Sequence, residues 1–173
     1  SNKLITIVNE ALKRQPDLLF LPIYYPEAIV VVNYLTSKGS TVTLLGGDAW
    51  ESSEFFRLSQ PYKGRIYISS HFSLQVGIQS HASFVERFVH ANGNEPNAVS
   101  ALGCDAALVV ADALRRATSM TRGALQQALV TTSDFRGVTG RITINEQRNA
   151  IKDVYILKAV DSTFVYETVI SSF

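Results

Sequence analysis

The sequence predicts an α/β fold: a parallel sheet with flanking helices, extended by a C-terminal antiparallel hairpin. Apolar runs alternate with helical patterns over residues 3–70, which is typical of parallel strands joined by right-handed crossovers. Helical patterns alone follow as far as residue 136, and strand-like patterns begin at Gly137. The chain has 173 residues, 46% of them hydrophobic, so it can bury a core.

The first elements are a helix, a strand and a second helix. Residues 4–12 repeat apolar side chains at helical spacing, and the breaker Gln15-Pro16-Asp17 follows. Residues 18–23 form a continuous apolar run, which is typical of a strand buried on both faces. The next helix covers residues 26–37, because proline suits a first turn and Gly39 suits a C-terminal cap.

Two further strands complete this alternating part. Residues 41–45 predict a buried strand, which Gly46-Gly47-Asp48 interrupts. A short helix over residues 52–58 follows, and Gly64 then opens a third strand over residues 65–69.

The middle of the chain contains three predicted helices, over residues 77–91, 100–117 and 121–130, the last with Thr121 as N-cap. Their broad apolar faces need a cover. Two solutions remain open: the helices pack against each other, or they cover a sheet from another segment.

Strands dominate the C-terminal part. Residues 141–144 predict a strand that reaches the polar turn 145–149. Residues 154–160 and 164–170 alternate in polarity and are joined at Asp161-Ser162, which predicts an antiparallel hairpin.

Composition and motifs exclude several function classes. Lys and Arg number 16 against 15 Asp and Glu, and no basic run exceeds two residues, so we expect no nucleic-acid partner. Cys104 is the only cysteine, which excludes an internal disulfide and favours a small core residue. No apolar run is long enough to span a bilayer.

The sequence also lacks the usual signatures of catalysis. It contains neither phosphate-binding glycine motif. The three histidines, His71, His81 and His90, form no zinc motif. Ser70 and His71 are neighbours on a strand, so their side chains point to opposite faces. We therefore expect no enzymatic activity, no cofactor and no metal.

Binding residues are expected where strands end, because parallel sheets bind ligands beyond the carboxyl ends of their strands. Tyr24 and Tyr25 follow the first strand, and Asp48 and Trp50 follow the second. Aromatic walls and one carboxylate suit a small ligand with a cationic head. Each residue also has a purely structural interpretation: the tyrosines pack under a loop, Asp48 caps a turn and Trp50 belongs to an interface.

Six segments, in order along the chain, resemble the branched-chain amino-acid-binding (Leu/Ile/Val-binding) family of type I periplasmic solute-binding proteins of ABC transporters. The most specific are Leu-Pro-Ile-Tyr-Tyr-Pro-Glu-Ala and Leu-Gly-Gly-Asp-Ala-Trp. The six segments are residues 18–28, 45–50, 64–73, 84–96, 101–106 and 134–145. The resemblance spans nearly the whole chain, but only the second half of the family's length.

The resemblance implies roles for individual residues. Tyr24 matches the aromatic residue that contacts the ligand, and Asp48 matches the acid that holds the ligand's α-ammonium group. The family's acid is usually the longer glutamate. Tyr25 and Trp50 are pocket neighbours without a firm counterpart, and Cys104 stands where the family usually has tyrosine.

The resemblance also implies a partial type I periplasmic-binding-protein fold, which is Rossmann-like. Residues 3–70 then form the first part of the C-terminal lobe. Residues 71–149 form the helical part of the N-terminal lobe, and residues 150–173 are the return strands to the C-terminal lobe. Because this N-terminal lobe would be incomplete, we expect the 173-residue chain to bind ligand poorly and to self-associate.

The implied function is that of an extracytoplasmic substrate-binding component of an ABC importer, with the transporter permease as its partner. It would bind a branched-chain amino acid, or a similar small amino acid or amide, between two lobes. The implied location is periplasmic or extracellular, compatible with a lipid anchor, although no signal segment is visible in this sequence. Two alternatives remain: a ligand-sensing domain of the same fold in a signalling receptor, and a Rossmann-like enzyme domain.

Overall fold

The computed structural model describes residues 2–76 and 79–172, and the chain divides into two compact units. Unit 1 contains the residues up to Ser70 together with Tyr155–Thr168. Unit 2 runs from His71 to Val154 and includes the segment that begins at Val169. The chain therefore passes between the units three times. The assignment of these units to an N-terminal and a C-terminal lobe remains a prediction.

Unit 1 is an α/β layer whose elements follow the predicted order. Its helices and strands are α1 (Asn2–Leu12), β1 (Leu18–Leu21), α2 (Tyr25–Ser37), β2 (Thr43–Gly46), α3 (Ser53–Leu58) and β3 (Ile66–Ser70). A 3-10 turn, Asp48–Trp50, lies between β2 and α3. Two late strands, numbered here in chain order as β7 (Val154–Val160) and β8 (Thr163–Ile170), complete the sheet.

The sheet of unit 1 has five strands in the order β1-β2-β3-β7-β8. The first three are parallel, as predicted, with Leu21 opposite Gly46 and Leu44 opposite Ile66. Strand β7 runs antiparallel to β3, with Ser70 opposite Tyr155. The alternation of strands and helices in the sequence therefore corresponds to a parallel arrangement of β1, β2 and β3.

Strand β1 differs from the prediction, because it is not buried on both faces. Leu19 and Leu21 are buried, whereas Leu18 and Phe20 are 43% and 61% exposed. Leu18 and Phe20 lie on one face of the strand and Leu19 and Leu21 on the other, so β1 is covered on one face only. A continuous apolar run does not reveal whether one face of a strand is covered or both.

The helix ends at Gly39 and Thr121 follow the predicted chemistry. Gly39 has φ +65°, the left-handed conformation that closes the C-terminus of α2. Ser52 and Thr121 act as N-caps, and each side chain accepts a hydrogen bond from a backbone N–H two or three residues later.

The described residues of unit 2 form three helices and three short strands. The helices are α4 (Gln79–Asn92), α5 (Ala98–Arg116) and α6 (Arg122–Val130). The strands are β4 (Phe135–Gly137), β5 (Gly140–Ile144) and β6 (Ala150–Ile151), and both of their pairings are antiparallel. The predicted helix start at Gly77 lies outside the described residues. No described helix is long and apolar enough to cross a membrane.

The core of unit 2 joins its helices to the β4–β5 turn. Phe72, Phe84, Ala98, Ala101 and Val138 form a buried cluster, against which the partly buried Val85, Phe88 and Cys104 pack. The sequence left open whether the helices pack against each other or cover another sheet. In this cluster, helices α4 and α5 pack against each other. Cys104 lies at the margin of this core and not within it as predicted, and burial raises the pKa of its thiol.

A buried polar network fastens α5 to the same turn. The Asp105 carboxylate accepts hydrogen bonds from the backbone N–H groups of Val138 and Thr139 and from the Thr139 hydroxyl. The Lys152 ammonium group donates to that hydroxyl. Gly137 is required here, because a methyl group at this position would stand 2.8 Å from Asp105 Oδ2.

Candidate functional site

The candidate site lies at the carboxyl ends of β1 and β2. These strands are parallel neighbours, with Leu21 opposite Gly46 at their ends. Tyr24 follows β1 by three residues and Asp48 follows β2 by two, so both loops leave the same edge of the sheet. The predicted shared edge is confirmed. We refer to the two loops, residues 22–25 and 47–52, as the ligand edge.

Tyr24 occupies the N-cap position of α2, where its backbone is extended with φ −79° and ψ 164°. Its carbonyl accepts the first helical hydrogen bond, from Ala28 N at 3.0 Å, but its side chain makes no capping bond. The ring is 72% exposed. Tyr25, the first residue of α2, is half-buried. An exposed ring at a strand end is available to cover an apolar ligand.

Asp48 begins the 3-10 turn and is exposed. Its carbonyl accepts the backbone N–H of Glu51 at 3.0 Å, which holds the turn closed. Within the described part of the chain, the Asp48 carboxylate forms no hydrogen bond or ion pair with another side chain. The Asp48 side chain is therefore open to pairing with a cationic group.

Trp50 has a different position, because its side chain is completely buried. The indole Nε1–H donates to the Ile23 carbonyl at 2.9 Å, and the ring stacks on Phe55 with centroids 5.5 Å apart. Trp50 therefore joins the two loops of the ligand edge from below. In this arrangement it supports Tyr24 and Asp48 and does not present a surface to a ligand.

Glu51 is a residue that the sequence reasoning missed. Its Oε2 accepts a hydrogen bond from the Ser70 hydroxyl at 2.8 Å, and Ser70 is only 1% exposed. Ser70 ends β3, the next parallel strand of the sheet. One signal was present in the sequence: a second carboxylate three residues after Asp48, within the same strand-end loop.

The ligand edge carries a clear excess of negative charge. Glu27, Asp48 and Glu51 lie within or next to its loops, and neither residues 22–28 nor residues 46–52 contain a lysine or arginine. Carboxylates grouped in this way attract a cationic group and repel a purely anionic ligand. No group of three potential metal-ligating residues occurs among the residues that the structure describes.

A cavity of about 340 Å³ lies elsewhere in unit 1, at the opposite end of the strands. It is bordered by Ile66, the first residue of β3, and by Asp161 and Ser162 of the β7–β8 turn. Because none of the ligand-edge residues lines it, it is separate from the candidate site.

The chain belongs to the periplasmic binding protein family, since residues 4–163 match that family's model. This family consists of binding proteins and not of enzymes, which agrees with the absence of catalytic motifs in the sequence. The fold is accordingly the type I periplasmic-binding-protein fold, with the mixed sheet of unit 1, the helices that flank it and the antiparallel strands of unit 2. No curated protein sequence matches the chain significantly.

Solved structures support the same family. A leucine-binding protein from Thermotoga maritima is similar, with TM-score 0.87 and 28% identity over 97% of this chain and 48% of that chain. A branched-chain amino acid transporter substrate-binding protein from Streptococcus pneumoniae, in complex with isoleucine, has TM-score 0.76 and 28% identity over 90% and 44% of the two chains. This chain therefore spans about half the length of the structures that it matches.

More distant structures share the fold alone. A solute-binding protein of an ABC transporter from R. palustris, in complex with benzoate, has TM-score 0.76 but only 15% identity, over 96% of this chain and 46% of that chain. The fold therefore accommodates ligands of different charge, and the ligand of this chain must be argued from its own residues.

Proposed function

We propose that this protein is the substrate-binding component of an ABC importer and that it binds a branched-chain amino acid or a similar small, zwitterionic amino acid. It would act outside the cytoplasm and deliver the ligand to the transporter permease. The observation that carries the proposal is the exposed Asp48 carboxylate, without a side-chain partner in the described chain, in the loop next to the one that carries the exposed Tyr24 ring.

The charge of the ligand edge favours an amino acid over a simple carboxylate. An ammonium group can pair with Asp48 through charge-assisted hydrogen bonds. The Tyr24 ring can then cover the apolar side chain, since 72% of its surface is open. A benzoate-like or fatty-acid ligand has no cationic group, and the negative edge would repel it.

The similarity to amino-acid-binding structures supports the same choice. The Thermotoga maritima protein is named as a leucine-binding protein, and the Streptococcus pneumoniae structure contains isoleucine. Both share 28% identity with this chain. The benzoate-bound structure shares 15% and therefore says little about ligand choice.

The test is isothermal titration calorimetry with leucine, isoleucine and valine, using the protein expressed from its whole gene. We expect Asp48→Asn to weaken binding at least about thirtyfold, because charge pairs enclosed with a ligand contribute strongly. Tyr24→Ala should weaken it less, since it removes a contact and no charge.

Asp161→Asn is the matched control, because Asp161 is exposed at the opposite end of the strands. Its left-handed backbone, φ +53°, tolerates asparagine. The proposal would be rejected if benzoate or 4-methylpentanoate, the deaminated analogue of leucine, bound more tightly than leucine, or if Asp48→Asn left leucine binding unchanged.

A further inference from the structure

The turn that carries Asp48 is anchored on two sides. On the side of β1, Trp50 donates from its indole to the Ile23 carbonyl. On the side of β3, Ser70 donates from its hydroxyl to Glu51 Oε2 at 2.8 Å. Asp48 lies at the start of this turn, and it is exposed while the anchors are buried or half-buried. Asp48 is therefore the exposed group, and the hydrogen bonds of Trp50 and Glu51 hold the turn beneath it.

The Ser70 anchor is the firmer support for a charged group. Ser70 is 1% exposed and is held in the sheet between β2 and β7, where it lies opposite Tyr155. A hydrogen bond from a fixed hydroxyl to a carboxylate is stronger than one between neutral groups. Residues 70 and 155 also mark two of the places where the chain passes between its units.

We propose that Glu51 is a positioning residue for ligand recognition: Ser70 holds its carboxylate, and this bond fixes the turn that directs Asp48 to the ligand's ammonium group. This rests on the proposed function. Glu51 acts through Asp48, because its own carboxylate accepts the hydrogen bond from Ser70. A glutamate at position 48 could reach the ligand from a less firmly held turn, because its side chain is longer. The shorter aspartate depends more on the position of its backbone.

The first experiment measures leucine affinity by calorimetry, in the protein expressed from its whole gene. Ser70→Ala and Glu51→Leu should each weaken binding about tenfold, the loss expected for a hydrogen bond to a charged group. The double variant should lose less affinity than the two single losses combined, because both single variants remove the Ser70–Glu51 hydrogen bond.

Two variants separate positioning from direct contact. Glu51→Gln keeps an acceptor oxygen for Ser70 and should recover most of the affinity that Glu51→Leu loses. Ser69→Ala is the matched control, because Ser69 is the adjacent serine on β3 and its side chain points to the other face of the sheet. It should bind leucine as the unmodified protein does.

A second measurement needs no ligand. The backbone N–H groups of Trp50 and Glu51 donate within the turn, to Gly47 and Asp48. In Ser70→Ala their hydrogen exchange should be faster than in the unmodified protein, and in Ser69→Ala it should be unchanged.

The outcomes distinguish the two proposals. If the unmodified protein binds no amino acid, the proposed function fails, and the exchange measurement alone then decides whether Ser70 holds the turn. Unchanged exchange in Ser70→Ala would overturn the positioning role. So would unchanged leucine affinity in that variant, or a loss in Glu51→Gln as large as that in Glu51→Leu.

Discussion

At the level of single residues, the contact between Trp50 and Gly46 limits what position 46 can hold. A methyl group on Gly46 would stand 2.5 Å from Cε2 and 2.8 Å from Cε3 of the buried indole. The ring cannot move aside freely, because Nε1 donates a hydrogen bond to the Ile23 carbonyl and the ring stacks on Phe55. Glycine at the end of β2 therefore creates the space in which Trp50 joins the two loops.

We predict that Gly46→Ala displaces Trp50 and destabilises the protein by about 1–3 kcal/mol, the usual range for overpacking a core. Trp50 is the only tryptophan, so its fluorescence reports this site alone. We expect a red-shifted emission and a lower denaturant midpoint.

Gly47→Ala is the control for this prediction, since a methyl group there meets nothing within 4 Å. It should change the emission and the midpoint little. An emission spectrum in Gly46→Ala identical to that of the unmodified protein would contradict the predicted displacement.

At the level of elements, the β4–β5 hairpin is held to helix α5 by a buried ionic network. Asp105 accepts from Val138 and Thr139, and Lys152 donates to the same threonine hydroxyl. Asp105 and Lys152 are 2% and 8% exposed. Burial lowers the pKa of Lys152 below its usual value of 10.5, although the nearby carboxylates of Asp105 and Asp153 oppose this effect.

This pKa shift predicts how stability depends on pH. Between the lowered folded pKa and the unfolded value of 10.5, the folded state binds fewer protons than the unfolded state. The free energy of unfolding therefore rises with pH in this window, and below it the penalty for burying the charge is fully present. Replacing the ammonium group by Lys152→Met should remove this dependence.

The measurement is urea denaturation of both proteins from about pH 7 to about pH 10, a range that approaches the usual lysine pKa. As the pH rises, the unfolding free energy of the unmodified protein should increase relative to that of Lys152→Met. Lys63→Met, at an exposed position, should give a difference that does not vary in this way. A flat or falling difference for Lys152→Met would refute the prediction.

At the level of the whole molecule, one side of helix α5 remains apolar and open. Its inner positions, which include Ala101, Asp105 and Val109, are buried. On the opposite side Val99, Val110 and Leu114 are 77%, 41% and 38% exposed. Apolar stripes of this kind on a helix normally pack against another surface.

We therefore predict that the 173-residue chain self-associates when it is produced alone, with the exposed stripe of α5 in the interface. The expected result in sedimentation velocity is a concentration-dependent dimer or larger species. The double variant Val110→Lys and Leu114→Lys should shift it towards the monomer, because burying the added charges is unfavourable.

Leu108→Lys provides the control, since Leu108 is 41% exposed but lies on a different side of the helix. It should leave the association unchanged. A chain that stays monomeric at all concentrations would contradict the prediction.

Local patterns in the sequence were sufficient for most elements and for placing the loops of Tyr24 and Asp48 after neighbouring strands. Apolar periodicity identifies which side of a helix or strand is buried, and glycine and proline mark where elements end. Since β1 and β2 alternate with helices, their parallel order followed, and so did the placement of Tyr24 and Asp48 at one edge. These inferences depend on residues that are close together in the chain.

Contacts between distant residues required the tertiary structure. The hydrogen bond from Trp50 to Ile23 joins residues 27 positions apart in the sequence. The hydrogen bonds from Ser70 to Glu51 and from Val138 to Asp105 join residues 19 and 33 positions apart. The exposure of Leu18 and Phe20 likewise depends on what packs over that face of β1, and the strand's own residues do not show this. The sequence by itself determined most elements, their order, and the position of Tyr24 and Asp48 after neighbouring parallel strands. Only the tertiary structure showed that Trp50 connects the two loops and that Ser70 holds the Glu51 carboxylate. The reason is that periodicity describes the faces of one element and not the partners that pack against them.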